Sequence, residues 1–324
     1  MSQTTGENAW HLPVLLDETI DGWYREGGTY FIDGTVGGGG HTATLLDRFP
    51  QCRVLGIDRD RESIERATQT LERFGERVVL QQGSYADIPE HLAAVGWPEQ
   101  VDGILLDLGV NSHQLDEAER GFSFLHDGPL DMRFQSDSAS QPTAADLVNQ
   151  WSERDLIKIF RDWGEEPQAK RAARAIVEQR KVRLFERTSD LRDCLHKALY
   201  KPKRKRPGID PATLVFQALR IAVNREFDHL ETFLTHFPEW LAPGGRIAMI
   251  SFHSLEDRRV KQAYRRFTKG CTCPPSFPIC ACGFVPQLKI LTNKPIRPTD
   301  EEVEANSRSR SSKLRVAEAV SESR

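Results

Sequence analysis

Residues 29 to 41, Thr-Tyr-Phe-Ile-Asp-Gly-Thr-Val-Gly-Gly-Gly-Gly-His, constrain this chain more than any other stretch. A short apolar run, Tyr30 to Ile32, ends in Asp33. Four consecutive glycines, Gly37 to Gly40, follow, and helix-compatible sequence begins near His41. The pattern predicts strand, tight turn and helix. Without Cβ atoms, glycines at such a turn take positive φ and let the backbone come within contact distance of a ligand. Turns of this kind hold nucleotide-like cofactors at the carboxyl end of a parallel strand. A flexible linker is the competing reading, but linkers are not usually bracketed by a buried strand and an amphipathic helix.

The same rhythm continues. Arg53 to Ile57 predicts a second strand ending in Asp58, and Arg61 to Phe74 a charged amphipathic helix. Val78 to Leu80 predicts a third strand ending near Gly83-Ser84-Tyr85, and Val101 to Leu106 a fourth ending in Asp107. Strands alternating with helices at this spacing imply right-handed βαβ units and a parallel sheet covered on both faces. After Asp107 the rhythm breaks. Residues 109 to 135 read as a long polar loop, and Pro142 to Arg225 as mainly helical. The sheet pattern returns at Gly245 to Phe252, and Lys-Leu-Arg-Val-Ala within Ser307 to Glu318 predicts a final edge strand. The expected organisation is an α/β domain, residues 1–115 and 216–324, interrupted by a helical insertion at 116–215.

Charge is distributed unevenly. The chain of 324 residues has a net charge of -3, yet Trp151 to Arg225 holds 19 Lys and Arg against 10 Asp and Glu. The densest run, Lys201-Pro-Lys203-Arg204-Lys205-Arg206-Pro, is flanked by Pro and Gly and reads as a loop. Arg171, Arg174, Arg180, Lys181 and Arg183 support it. Basic charge concentrated on one module is the footprint of a phosphate-backbone binder, against the plainer reading of a solvated helical surface. The polar start, Met1 to Asn8, lacks a signal peptide's basic and apolar regions, and no apolar run approaches membrane-spanning length. The expectation is a cytoplasmic protein with no membrane partner; oligomeric state is not legible. Cys271, Cys273, Cys280 and Cys282 place four thiols within twelve residues. Four thiolates suit a tetrahedral zinc, but the one-residue spacing within each pair is tighter than usual. Reduced thiols or a redox-dependent bridge are the alternatives.

The chemistry gathers at strand ends. Asp58, past the glycine turn, stands where a carboxylate accepts both hydroxyls of a ribose. This feature fits a nicotinamide enzyme as well as an S-adenosylmethionine enzyme, and Gly38, Gly40 and Ala43 satisfy the looser Gly-x-Gly-x-x-Gly/Ala pattern. The fourth strand leads into Asp107, Asn111 and Ser112, acceptors suited to the hydrogens of an exocyclic amine. Such an amine must be held in line with a methyl donor, because its lone pair is delocalised into the ring.

Several strings in order resemble the ribosomal RNA small subunit methyltransferase H family. They include His11-x-Pro-Val-Leu-Leu-x-Glu18, Asp33-Gly-Thr-x-Gly-x-Gly-Gly-His41, Asp102-Gly-Ile-Leu-Leu-Asp-Leu-Gly-Val110 and Pro129-Leu-Asp-Met-Arg133. Thr213-x-x-Phe-Gln-Ala-Leu-Arg-Ile221, Ile250-Ser-Phe-His-Ser-Leu-Glu-Asp-Arg258 and Arg308-Ser-Arg-Ser-Ser-Lys-Leu-Arg315 continue the series, so nearly the whole chain is covered. The resemblance implies a Rossmann-like class I S-adenosylmethionine-dependent methyltransferase fold with an inserted helical domain. It implies methylation of N4 of a cytidine, position 1402 in the usual rRNA numbering, in 16S rRNA of the small ribosomal subunit. By matching position, the implied cofactor contacts are Gly39, Gly40, His41, Asp58, Tyr85, Asp107 and Gln114. Asp107 and Asn111 are the catalytic candidates, and Lys201, Lys203, Arg204, Lys205 and Arg206 the RNA-binding ones. The family commonly has Ser-Ser-Pro-Gln after Gly-Val, where this chain has Asn111-Ser112-His113-Gln114. Other RNA or DNA amino methyltransferases, a nucleotide-binding RNA chaperone without turnover, and an oxidoreductase are the readings that compete.

Overall fold

Seven strands form one sheet in the computed structural model, which describes residues 13–135, 141–199, 210–269, 273 and 282–320. They are β1 (Tyr30–Asp33), β2 (Arg53–Asp58), β3 (Val78–Gln82), β4 (Val101–Asp107), β5 (Leu241–Ser251), β6 (Leu288–Ile290) and β7 (Lys313–Ala319). The order across the sheet is β3-β2-β1-β4-β5-β7-β6. The first five strands are mutually parallel, whereas β7 runs antiparallel to both β5 and β6. In β2 every residue from Val54 to Ile57 is buried, the signature of a strand covered on both faces. From β1 the chain adds β2 and then β3 on one side, and afterwards places β4 on the other. The gap between the carboxyl ends of β1 and β4 is therefore a topological switch point, where open α/β sheets bind ligands. This is the Rossmann-like architecture that the resemblance implies.

The chain divides into two units, residues 1–109 with 231–324, and residues 110–230. The expected boundaries at 115/116 and 215/216 differ from these. The helix Thr213–Asn224 carries Val215, Phe216, Ala218 and Leu219 into the core of the helical unit, and Leu115 packs against that core. In the sheet unit, Trp23, Phe31, Leu45, Val54, Leu105, Ile250 and Leu314 share one apolar core.

The helical unit is built from helices Ser112–Asp116, Ala144–Gln150, Glu153–Asp162, Ala169–Arg180, Thr188–Leu199 and Thr213–Asn224. Local sequence starts them: the Thr143 hydroxyl accepts from Asp146 N while Asp146 accepts from Thr143 N, and Ser152 accepts from Asp155 N. Asn224, fully buried, ties the unit together. Its Nδ2 donates to the carbonyls of Met132 (2.7 Å) and Arg220 (3.0 Å), and its Oδ1 accepts from Phe134 N (2.8 Å) and Gln141 Nε2 (3.2 Å).

One expectation needs correction. Lys313 to Ala319 is a strand, but β6 lies outside it, so β7 is interior and β6 is the edge. The reason is burial: Leu314, Val316 and Ala317 are covered, and β6 is only three residues long, too short to show a period. Among the described residues no helix is long and apolar enough to cross a membrane.

Candidate active site at the carboxyl ends of the strands

The turn after β1 is shaped by its glycines. Gly39 has φ +84° and caps the helix Gly40–Arg48, a conformation that a side chain disfavours. A Cβ on Gly40 would collide with the Pro13 ring, whereas one on Gly38 would meet nothing within 4 Å among the described residues. Among the described residues the turn thus has one face packed against protein and one face open. Gly40 and His41 occupy the first turn of the helix, where N–H groups have no intrahelical carbonyl and favour negative charge. The His41 ring sits buried with Nε2 3.1 Å from the Val14 carbonyl.

Three carboxylates close the strands. Asp33, at the end of β1, is buried and accepts from Thr42 Oγ1 (2.8 Å) and Thr35 N (3.3 Å). Burial pushes its carboxyl up to about 7, against the pull of those hydrogen bonds. Asp58, at the end of β2, is half-buried and accepts from Gly37 N (3.0 Å) and Asp60 N (2.9 Å). It therefore fastens the glycine turn to the second strand, and burial raises it to about 6. Asp107, at the end of β4, receives no such help. Among the described residues its Oδ1 is buried with no hydrogen-bond partner, although its N–H donates to Thr35 Oγ1 at 2.6 Å. Burial first, then the neighbouring charges of Asp33 and Glu256, push its carboxyl up to about 8.

Tyr85 follows β3 in a short turn whose Ser84 hydroxyl accepts from Ala86 N. Its ring meets Phe233 edge-on at 5.7 Å. Asn111 and Gln114 belong to the helical unit. There they form a capping box: Asn111 Oδ1 accepts from Gln114 N (2.9 Å) and Gln114 Oε1 accepts from Asn111 N (3.1 Å). Both side-chain carbonyls thus have structural work. In the same unit Arg180 donates to the carbonyls of Val148 and Trp151, while Arg174, Lys181 and Arg183 face Glu153, Glu178 and Asp190. The expected RNA-binding loop, Lys201 to Arg206, lies outside the described residues, as do Cys271 and Cys280; Cys273 and Cys282 are described.

A model of the MraW methylase family matches residues 8–320. The chain belongs to the MraW methylase family. It is 47% identical over 311 residues to a ribosomal RNA small subunit methyltransferase H of Heliobacterium modesticaldum, covering 96% of this chain and 98% of that protein. A protein of the same name from Syntrophus aciditrophicus is 49% identical over 316 residues, 97% of this chain and 99% of its own length. Another from Geobacter sp. strain M21 is 48% identical over 315 residues, 97% and 100%.

Sequence reasoning did not single out Glu256, which lies near the strand-end carboxylates. It is buried just after β5, with Oε1 2.9 Å from His253 Nε2 and Oε2 accepting from Phe252 N at 2.9 Å. The spacing His253-x-x-Glu256 at a helix start was the available signal. Thr35 was also missed; it touches both Asp33 and Asp107. The residues present fit a nucleoside cofactor with a charged amino-acid tail. Among the described residues nothing crowds Gly38, and Asp107, at the carboxyl end of β4, keeps a buried carboxylate oxygen without a hydrogen-bond partner.

Proposed function

We propose that the chain transfers a methyl group from S-adenosyl-L-methionine to N4 of a cytidine in the decoding region of 16S rRNA. The observation that carries this reading is Asp107: a buried carboxylate oxygen without a partner among the described residues, at the carboxyl end of β4 beside the switch point. A protein does not leave such an acceptor unpaired without cost, and an amine hydrogen would satisfy it. The cofactor supplies a methyl group on a sulfonium, which needs little activation from protein.

The chain's own residues hold and orient. Asp58 accepts the ribose hydroxyls, the amides of Gly39, Gly40 and His41 receive the carboxylate of the amino-acid tail, and Tyr85 borders the adenine. Asp107 accepts a hydrogen bond from the exocyclic amine, keeps it in line, and is placed to take the proton that the amine loses. Gln114 and Asn111 shape the loop that follows. The basic helical unit recognises the RNA, and the protein works in the cytoplasm on RNA or on the small subunit.

The test is to incubate the protein with isotopically labelled S-adenosylmethionine and either bare 16S rRNA or small subunits, then map the product by mass spectrometry. N4-methylcytidine at a single decoding-region site is expected. Methyl transfer to DNA or to another base, or cofactor binding with no transfer to any RNA, would overturn the reading.

A further inference from the structure

A second charged surface lies on the sheet unit, and none of the strand-end carboxylates lines it. The helix Ser254–Lys269 follows β5 and packs on β5, β6 and β7. Its buried Tyr264 places a hydroxyl 3.4 Å from the carbonyls of Ile247 and Arg315, which sets the rotation of the helix on the sheet. Lys261, Arg265 and Lys269, at four-residue spacing and all exposed, then form one stripe beside that anchor.

Between this stripe and the β6 edge runs a groove of about 540 Å³. Lys261, Arg265, Lys269 and Lys289 line it, Arg315 adds a fifth cation, and among the described residues no Asp or Glu lines it. Among the described residues, none of the first four makes an ion pair. Arg315 alone is neutralised, by Asp257 at 2.7 Å. Thr268 and Asn293 add polar groups, and Leu288 and Ile290 an apolar wall. Like charges gathered without counter-charges repel one another, and a solvated helix face with this composition normally intersperses both signs. A concave, one-signed surface is the shape of an anion site.

Its direction identifies the anion. Glu256, whose charge is felt at Asp107, opens the same helix. At 1.5 Å per residue, Lys261 lies about 7 Å further along the axis and Lys269 about 20 Å. A single small anion would use one or two of these cations, whereas a chain of phosphates leaving the strand-end site would use them in turn. We propose that this groove is a phosphate track that holds the RNA strand flanking the methylated base. The proposal rests on the RNA-methylation reading above.

The experiment replaces Lys261, Arg265 and Lys269 together by Gln in the full chain and measures binding to bare 16S rRNA from 50 to 200 mM salt. Each phosphate neutralised contributes about 0.7 to the log–log salt slope on single strands, so the slope should become shallower by about 2. The parent's loss of affinity across that range should exceed the variant's by about sixteen-fold, with S-adenosylhomocysteine affinity unchanged. A second triple, Arg48, Arg66 and Arg73 to Gln, makes the same change of net charge elsewhere on the sheet unit. Equal flattening by both triples, or an unchanged slope in the first, overturns the track while leaving the function standing. If the unaltered protein neither binds nor methylates the RNA, the function itself falls and the track with it.

Discussion

Replacing Asp107 by Asn should stabilise the free protein at alkaline pH while abolishing most of its activity. The carboxyl is raised from 3.8 to about 8, chiefly by burial and then by Asp33 and Glu256. The folded state therefore holds a proton that the unfolded chain has lost, and stability falls as pH rises from about 4 to about 8. One pKa unit is about 1.4 kcal/mol, so the cost to the fold at pH 8 is at most about 5 kcal/mol. Asp107 is half-buried at the rim of the sheet, and water there screens part of this; about 2 kcal/mol is the expected gain from a neutral amide. For a unit of this size that is a rise in Tm of about 4–8 °C at pH 8.5, shrinking by pH 5. Thermal unfolding of both proteins at the two pH values is the assay, with methyl transfer measured in parallel. An advantage equal at pH 5 and pH 8.5, or a variant less stable than the parent at pH 8.5, would refute the reasoning.

The strand-end carboxylates as a set make a second prediction. A sulfonium cation near them favours their ionised forms, so S-adenosylmethionine should release protons on binding and gain affinity from pH 6 to 8 relative to S-adenosylhomocysteine; calorimetry in two buffers of different ionisation enthalpy checks this, and equal proton release by both ligands would remove the electrostatic role. Asp58→Ala should weaken S-adenosylhomocysteine binding about 10²-fold, from two hydroxyl hydrogen bonds to a charged acceptor at about 1.5 kcal/mol each; binding within a few-fold of the parent would strip Asp58 of its ribose role. Asn224→Ala should cost the helical unit about 3 kcal/mol in denaturant unfolding, because four polar partners, buried or half-buried, each lose a bond to it at once; a loss below about 1 kcal/mol would show that they find substitutes.

What the sequence discloses and what it hides divide along a physical line. Apolar runs ending in Asp33, Asp58 and Asp107 are legible because strand burial is a local pattern, and the glycines are legible because positive φ and close approach are demands on single residues. The three-residue β6 is not legible, since only the ladder it forms with β7 defines it. Nor is the direction of the His41 ring, which is decided by the Val14 carbonyl of a preceding segment. The charge state of the site is the deepest case. Asp107 and Glu256 are far apart in the chain and neither is unusual in its own motif. They come under one another's field because β4 pairs with β5, and Asp107 meets Asp33 because β4 also pairs with β1. Periodicity says that these strands exist but not which of them are neighbours. The pairing order gathers these strand ends, and burial there, with neighbouring charges second, raises their carboxyls to about 6, 7 and 8.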